Sequence, residues 1–160
     1  GSVAVNTAVR NILPELLKEF QVVHICGKKN VDESLKGTPG YVQYGYVSEE
    51  LKDLFAAADI VISRAGANAI CELLALRKPA LLIPLSAAAS RGDQLLNAES
   101  FRKQGFSDVL QEEEITDEVL LARIHHLYET REEYRTAMEK SNLGNAVQTI
   151  VELLDSLCEK

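Results

Sequence analysis

Residues 62–72 read ISRAGANAICE. They begin inside DIVIS, residues 59–63, a run rich in β-branched residues that stops abruptly. Arg64 comes next, then the small residues Ala65, Gly66 and Ala67. NAICELLALR, residues 68–77, then places apolar residues at helical spacing. The stretch is a strand, a turn stripped of side chains, and a helix, which is the repeating unit of a parallel sheet. The helix is expected to bury Ile70, Cys71 and Leu74, with Ala67 and Ala75.

The same order recurs outward from this point. Upstream, residues 3–20 (VAVNTAVRNILPELLKEF) read as a helix that Pro14 kinks or restarts. QVVHIC (21–26) is a strand closed by Gly27, and residues 28–40 are a polar loop with room for one short helix. YVQYGYV (41–47) is a strand running into a loop, and EELKDLFAAA (49–58) a helix with Ser48 as its cap. Downstream, ALLIPL (80–85) is a buried strand and SAAASRG (86–92) a loop. Residues 93–105 (DQLLNAESFRKQG) are a helix with Asp93 as N-cap and Gly105 as its stop. FSDVL (106–110) is the last strand, and the EEE run at 112–114 reads as a solvated loop. Thr116 opens helices expected over 117–129, 131–141 and 146–159, the last of them amphipathic. This alternation specifies an α/β fold, a Rossmann-like doubly wound parallel sheet, in one domain over residues 1–160.

Composition narrows the function. The 17 Lys and Arg stand against 24 Asp and Glu, a net charge of −7, which argues against a nucleic-acid surface. No apolar run is long enough to span a bilayer. Cys26, Cys71 and Cys158 are odd in number and lack metal-ligand spacing, so they read as reduced thiols in a cytoplasmic protein. Cys71 has no partnered histidine and reads as a packing residue. His24 reads as a core or rim histidine, and the neighbours His125 and His126 point apart on their helix.

In open parallel sheets, ligands bind beyond the carboxyl ends of the strands. Ser63 to Asn68 occupy such an end. The helix behind them offers unpaired N–H groups and a positive dipole end. Gly66 allows close approach of a ligand, and Ala65 and Ala67 leave room beside it, which is the physics of a phosphate site. Glu72, about one turn into the helix, can take two hydrogen bonds from a vicinal diol such as a ribose. The alternative is a tight strand–helix turn with a solvent-facing Glu72. Neither G-x-G-x-x-G nor a Walker motif is present, which disfavours NAD and ATP hydrolysis. At the next strand end, Asp93, Gln94 and Asn97 crowd one face of a first helical turn. Two amides and a carboxylate suit sugar hydroxyls; the alternative is a helix cap beside two solvated amides.

ISRAGANAICELLALRKPALLIPLSAAASRGDQLLNA, residues 62–98, closely resembles the C-terminal half of the MurG-type N-acetylglucosaminyltransferases in their Firmicutes form. LPELL and YVSEELKDLFAAAD extend the resemblance over essentially the whole chain. It implies one half of a GT-B glycosyltransferase, the C-terminal domain that holds the donor UDP-GlcNAc. The reaction implied is an inverting transfer of GlcNAc to lipid I, forming lipid II, with no metal and no cofactor. Lipid I and the membrane would be met by an N-terminal domain outside this chain, which would also carry the catalytic base. The chain alone is therefore expected to be inactive, with no catalytic residue of its own, in a protein peripheral to the inner face of the cell membrane.

Carried over residue by residue, the resemblance gives Glu72 the ribose, and the amides around Ala67, Asn68 and Ala69, with Gly66, the diphosphate. Gln94, with Asp93 and Asn97, would read the GlcNAc hydroxyls. The Val47 backbone would pair with the uracil edge, with Tyr44 and Tyr46 either lining that pocket or packing the sheet. Arg64 would be structural or lie near the diphosphate. Relatives often carry a hydroxyl where Ala69 stands, which leaves backbone donors to hold the phosphates here. They also carry a glycine-rich loop before the first helix, represented in this chain by Gly1-Ser2. A UDP-GlcNAc 2-epimerase-like domain and a non-catalytic domain of the same fold are the competing readings.

Overall fold

A computed structural model describes residues 1–141. The helix expected over 146–159, and Cys158 with it, lie outside the described residues. The chain forms two compact units, Gly1–Ala57 with Glu114–Ala122, and Ala58–Glu113 with the chain from Arg123.

In the first unit, α1 (Val3–Asn11) is capped by Ser2, whose hydroxyl accepts the Val5 N–H at 3.3 Å. Pro14 restarts the helix: α2 (Leu13–Leu16) carries it in its first turn, where the missing N–H costs nothing. β1 (Val22–Ile25) and β2 (Tyr41–Tyr44) pair in parallel, Val22 opposite Tyr41 and Ile25 opposite Tyr44. The loop between them holds one 3₁₀ turn, Glu33–Leu35, capped by the Asp32 carboxylate on the Ser34 N–H at 3.0 Å. Ala8, Val9, Ile12, Leu13, Leu16 and Cys26 are buried. α3 (Leu51–Ala57) begins later than the sequence suggests. Ser48 is not its cap; the Glu50 carboxylate reaches back and accepts the Ser48 N–H at 3.3 Å, which closes a turn ahead of the helix.

A polar network sits among these apolar residues. The His24 ring is bonded at Nε2 to Asn6 Oδ1 (2.8 Å) and at Nδ1 to the Tyr41 hydroxyl (2.9 Å), while Asn6 Nδ2 donates to the Cys26 carbonyl at 2.8 Å. Because the Asn6 amide nitrogen is committed there, its oxygen must accept. His24 therefore carries its proton on Nε2 and takes the Tyr41 proton on Nδ1. Burial, and then the positive charge of Arg10, hold the His24 pKa down at about 4.

In the second unit, β3 (Val61–Ser63), β4 (Ala80–Leu82) and β5 (Ser107–Val109) form a parallel sheet in that order. Val61 lies opposite Ala80, which lies opposite Ser107. β4 is the middle strand, and Ala80, Leu81, Leu82 and Ile83 are fully enclosed. β3, at one end of the order, is only half-buried, not the buried strand its sequence suggests.

The crossovers are α4 (Ala67–Ala75) and α5 (Asp93–Lys103). α4 buries Ile70, Leu73 and Leu74. Cys71 and Ala67 are exposed, contrary to the reading above. Each residue turns the helix by about 100°, which carries Cys71 off the face that Ile70 and Leu74 share.

Both crossover helices end in the same six-residue hydrogen-bond pattern. Phe106 N–H reaches the Phe101 carbonyl (2.9 Å) and Gly105 N–H the Arg102 carbonyl (3.1 Å), with Gly105 left-handed at φ 75°. The Phe101 and Phe106 rings meet edge to face at 5.4 Å across that turn. At the end of α4, Lys78 and Arg77 donate to the Leu73 and Leu74 carbonyls at 2.9 and 3.1 Å. There Arg77, a non-glycine, takes the left-handed position at φ 53°. α6 (Asp117–Glu129) starts at Thr116, whose hydroxyl accepts the Val119 N–H at 3.1 Å, and α7 (Arg131–Lys140) follows.

Candidate functional site

Parallel pairing brings the carboxyl ends of β3, β4 and β5 to one edge of their sheet, and the chain leaves each end differently. After β3, Arg64, Ala65 and Gly66 lead into α4, with Gly66 as the N-cap residue in ordinary extended backbone, φ −66° and ψ 150°. No side chain caps this helix, so its first N–H groups are not taken up by a capping residue. A Cβ added at Gly66 would meet only Gln94 Nε2, at 3.9 Å. Neither the backbone conformation nor the neighbouring atoms require a glycine there.

Asn68 and Glu72 are four apart on the exposed face of α4. The Glu72 carboxylate has no hydrogen-bond or ion-pair partner among the described residues. Ala69 is half-buried beside them.

After β4, Ile83, Pro84 and Leu85 lead to a turn in which the Ser86 carbonyl accepts from Ala89 and Ser90, both at 3.0 Å. Gly92, at φ 84°, is the N-cap residue of α5. Asp93 is therefore not the N-cap. It is the first residue inside the helix and stays exposed, where its charge still complements the helix dipole. A left-handed cap position suits glycine and not aspartate, which sets the boundary one residue earlier than the sequence suggests.

Gln94 and Asn97 are half-buried, and both face the strand ends. Gln94 Oε1 accepts the Leu85 N–H at 3.0 Å. Asn97 Nδ2 donates to the carbonyl of Ala65, a fully buried residue, at 3.0 Å. Each amide thus fastens one strand end to α5. Gln94 Nε2 and Asn97 Oδ1 make no hydrogen bond to the described residues.

Arg64 has a structural place. Its guanidinium donates to the Ile83 and Pro84 carbonyls (3.2 and 3.3 Å) and to Glu112 Oε2 at 2.7 Å. The last contact corrects the reading of residues 112–114 as a solvated loop: they form a 3₁₀ turn, and Glu112 is an ion-pair partner with a side chain only 30% exposed. Sequence reasoning missed Glu112, because an acidic triplet carries no sign of which member turns inward.

The second unit therefore brings together Arg64, Gly66, Ala67, Asn68, Ala69, Glu72, Asp93, Gln94 and Asn97. Val47 belongs to the first unit, half-buried in the segment after β2. Tyr44 is half-buried on β2, whereas Tyr46 is exposed with the Lys28 ammonium 5.0 Å from its ring centroid. No group of three or more His, Cys, Asp or Glu among the described residues could hold a metal ion. No described helix is long and apolar enough to cross a membrane.

The second unit is thus a parallel α/β arrangement with an uncapped helix start beside two amides at adjacent strand ends. The chain belongs to glycosyltransferase family 28, whose C-terminal domain model matches residues 1–154. It is 62% identical over 154 residues to the "UDP-N-acetylglucosamine--N-acetylmuramyl-(pentapeptide) pyrophosphoryl-undecaprenol N-acetylglucosamine transferase" of Lachnospira eligens, a match covering 96% of this chain and 44% of that protein. It is 61% identical over 156 residues to the enzyme of that name from Geobacillus thermodenitrificans, covering 98% and 44%. The chain thus spans less than half the length of these curated relatives. Among solved structures, Acinetobacter baumannii MurG superposes with a TM-score of 0.66 at 25% identity, over 93% of this chain and 46% of that one. The glycosyltransferase of kitacinnamycin superposes at 0.73 with 17% identity, over 98% and 40%, a likeness of fold.

Proposed function

We propose that this chain is the donor-binding part of an N-acetylglucosaminyltransferase, holding UDP-GlcNAc while GlcNAc passes with inversion to lipid I to form lipid II. The observation that carries the reading is Gly66. It stands at an uncapped helix start where neither φ nor packing calls for a glycine, so the space above it is explained by a ligand. The free N–H groups of α4 suit the diphosphate. Glu72 accepts the ribose hydroxyls from the exposed face one turn on. Gln94 Nε2, Asn97 Oδ1 and the Asp93 carboxylate read the sugar, with α5 held by the bonds to Leu85 and Ala65. Helix dipole and backbone donors offset the diphosphate charge, so the site works without a metal or other cofactor. Lipid I, the catalytic base and the contact with the inner face of the membrane belong to the N-terminal domain of the full-length enzyme.

Calorimetric titration of the chain with UDP-GlcNAc, with UDP-galactose and NAD as controls, tests the reading. Selective binding of UDP-GlcNAc that weakens in Glu72→Ala is expected. Equal binding of the three ligands, or an unchanged affinity in Glu72→Ala, would overturn it.

A further inference from the structure

Glu112 lies beyond the carboxyl end of β5 and is given no ligand contact in the donor-site reading. Its carboxylate nevertheless holds the Arg64 guanidinium at 2.7 Å, and the same Arg64 nitrogen donates to the Ile83 and Pro84 carbonyls. The Leu85 N–H, in the same peptide group as the Pro84 carbonyl, donates to Gln94 Oε1 at 3.0 Å. Three links thus run in series, the middle one doubled, from Glu112 through Arg64 and the peptide groups after Ile83 and Pro84 to the amide side chain of Gln94. The Arg64 and Glu112 side chains are 19% and 30% exposed, so their pairing is screened less than a surface ion pair.

From this geometry we infer that Glu112 is a positioning residue for sugar recognition. It fixes Arg64, which fixes the chain leaving β4, which fixes the rotamer and the amide orientation of Gln94. The orientation matters because Gln94 can present Nε2 as a donor to the sugar only while its oxygen is committed to Leu85. Without the Glu112 carboxylate, Arg64 loses this ion pair, and its hold on the two carbonyls weakens. The peptide at Leu85 then loosens, and the Gln94 amide has no fixed sense. A group held by a supporting shell in this way discriminates between ligands; a loose one binds whatever fits. The consequence falls on the sugar and spares the nucleotide, whose proposed contacts lie on α4.

This inference rests on the donor-site reading for its ligand and on the hydrogen bonds alone for its mechanics, so two measurements separate them. The first is amide hydrogen exchange at Leu85 in the unliganded chain. Protection is expected to fall about tenfold in Glu112→Ala, on the order of one charge-assisted hydrogen bond lost, and to be largely kept in Glu112→Gln, which retains an acceptor oxygen. Unchanged Leu85 exchange in Glu112→Ala overturns the relay whatever the chain binds. The second is the ratio of affinities for UDP-GlcNAc and UDP. Glu112→Ala is expected to lose roughly five- to tenfold in UDP-GlcNAc affinity, by the same reasoning, and little in UDP affinity, with Glu112→Gln restoring most of the difference. Equal losses for both ligands, or none, would make Glu112 a merely structural residue. A wild-type chain that does not prefer UDP-GlcNAc to UDP would count against the donor-site reading, while the exchange result still decides the relay.

Discussion

The Asn97 amide nitrogen donates to the Ala65 carbonyl at 3.0 Å, joining α5 to the loop that leads from β3 into α4. Ala65 is fully buried, so no solvent waits to replace that donor. Asn97→Ala should therefore destabilise the chain by about 1–2 kcal/mol, the cost of leaving one buried carbonyl unsatisfied. Urea unfolding without ligand measures this. An unchanged midpoint would mean that Asn97 serves only the ligand.

Gly66 separates fold from function in the opposite sense. A methyl group there lies 3.9 Å from Gln94 Nε2 and meets no other atom within 4 Å. Gly66→Ala should leave stability unchanged or raise it by up to about 1 kcal/mol, since alanine restricts the unfolded chain at a compatible φ. The same methyl group stands where the diphosphate would approach, so UDP-GlcNAc affinity should fall about tenfold or more, the cost of a modest overpacking. Paired thermal melts and titrations check both halves. Destabilisation without loss of affinity would refute the role given to this residue.

Arg77 occupies the left-handed position that Gly105 fills at the end of the next helix. A residue with a Cβ costs roughly 1–2 kcal/mol in that conformation, and glycine returns part of this gain through the freedom it adds to the unfolded chain. Among the described residues, the one ion pair given up is with Glu139, 3.9 Å away, between side chains more than half exposed. Arg77→Gly should stabilise the chain by about 0.5–1 kcal/mol. A lower melting temperature would show that the Arg77 side chain does more than these contacts indicate.

The contrast between those two helix ends shows what the sequence makes legible. Gly105 announces its stop because glycine is the residue that a left-handed turn prefers. Arg77 gives no local sign, and only Pro79 beyond it marks the boundary. The order of strands and helices follows from periodicity, as does the cluster of candidate residues at the ends of β3 and β4. Cys71 was misplaced because a thiol between two apolar residues reads as core until the helix phase is known. Asp93 was read as a cap because aspartate favours that position, whereas the left-handed Gly92 takes it. Glu112 was invisible because its role comes from Arg64, 48 residues earlier, and from a sheet register that no local pattern encodes.

His24 gives the fold a pH dependence with a definite sign. Its ring is held neutral by the Tyr41 hydroxyl and Asn6 Oδ1, and burial, with the charge of Arg10, lowers its pKa from 6.5 to about 4. Between those values the unfolded chain takes up a proton that the folded chain refuses. Stability is therefore complete above pH 6.5 and declines as the pH falls, by up to about 1.4 kcal/mol per unit, until the folded ring titrates as well. The loss from this residue should approach about 3 kcal/mol by pH 4. Asp32 and Glu99, whose pKa values are lowered, add losses of the same sign, but only as the pH falls through the ordinary carboxylate range, below about pH 5. The interval from pH 5 to 6.5 therefore isolates the histidine. Urea unfolding across that interval should show a slope near one proton in the native sequence and a smaller slope in His24→Gln, whatever that variant costs at neutral pH. The His24 ring resonances in the folded chain should titrate near pH 4; a midpoint near 6.5 would mean that the ring is open to water and the network does not hold it.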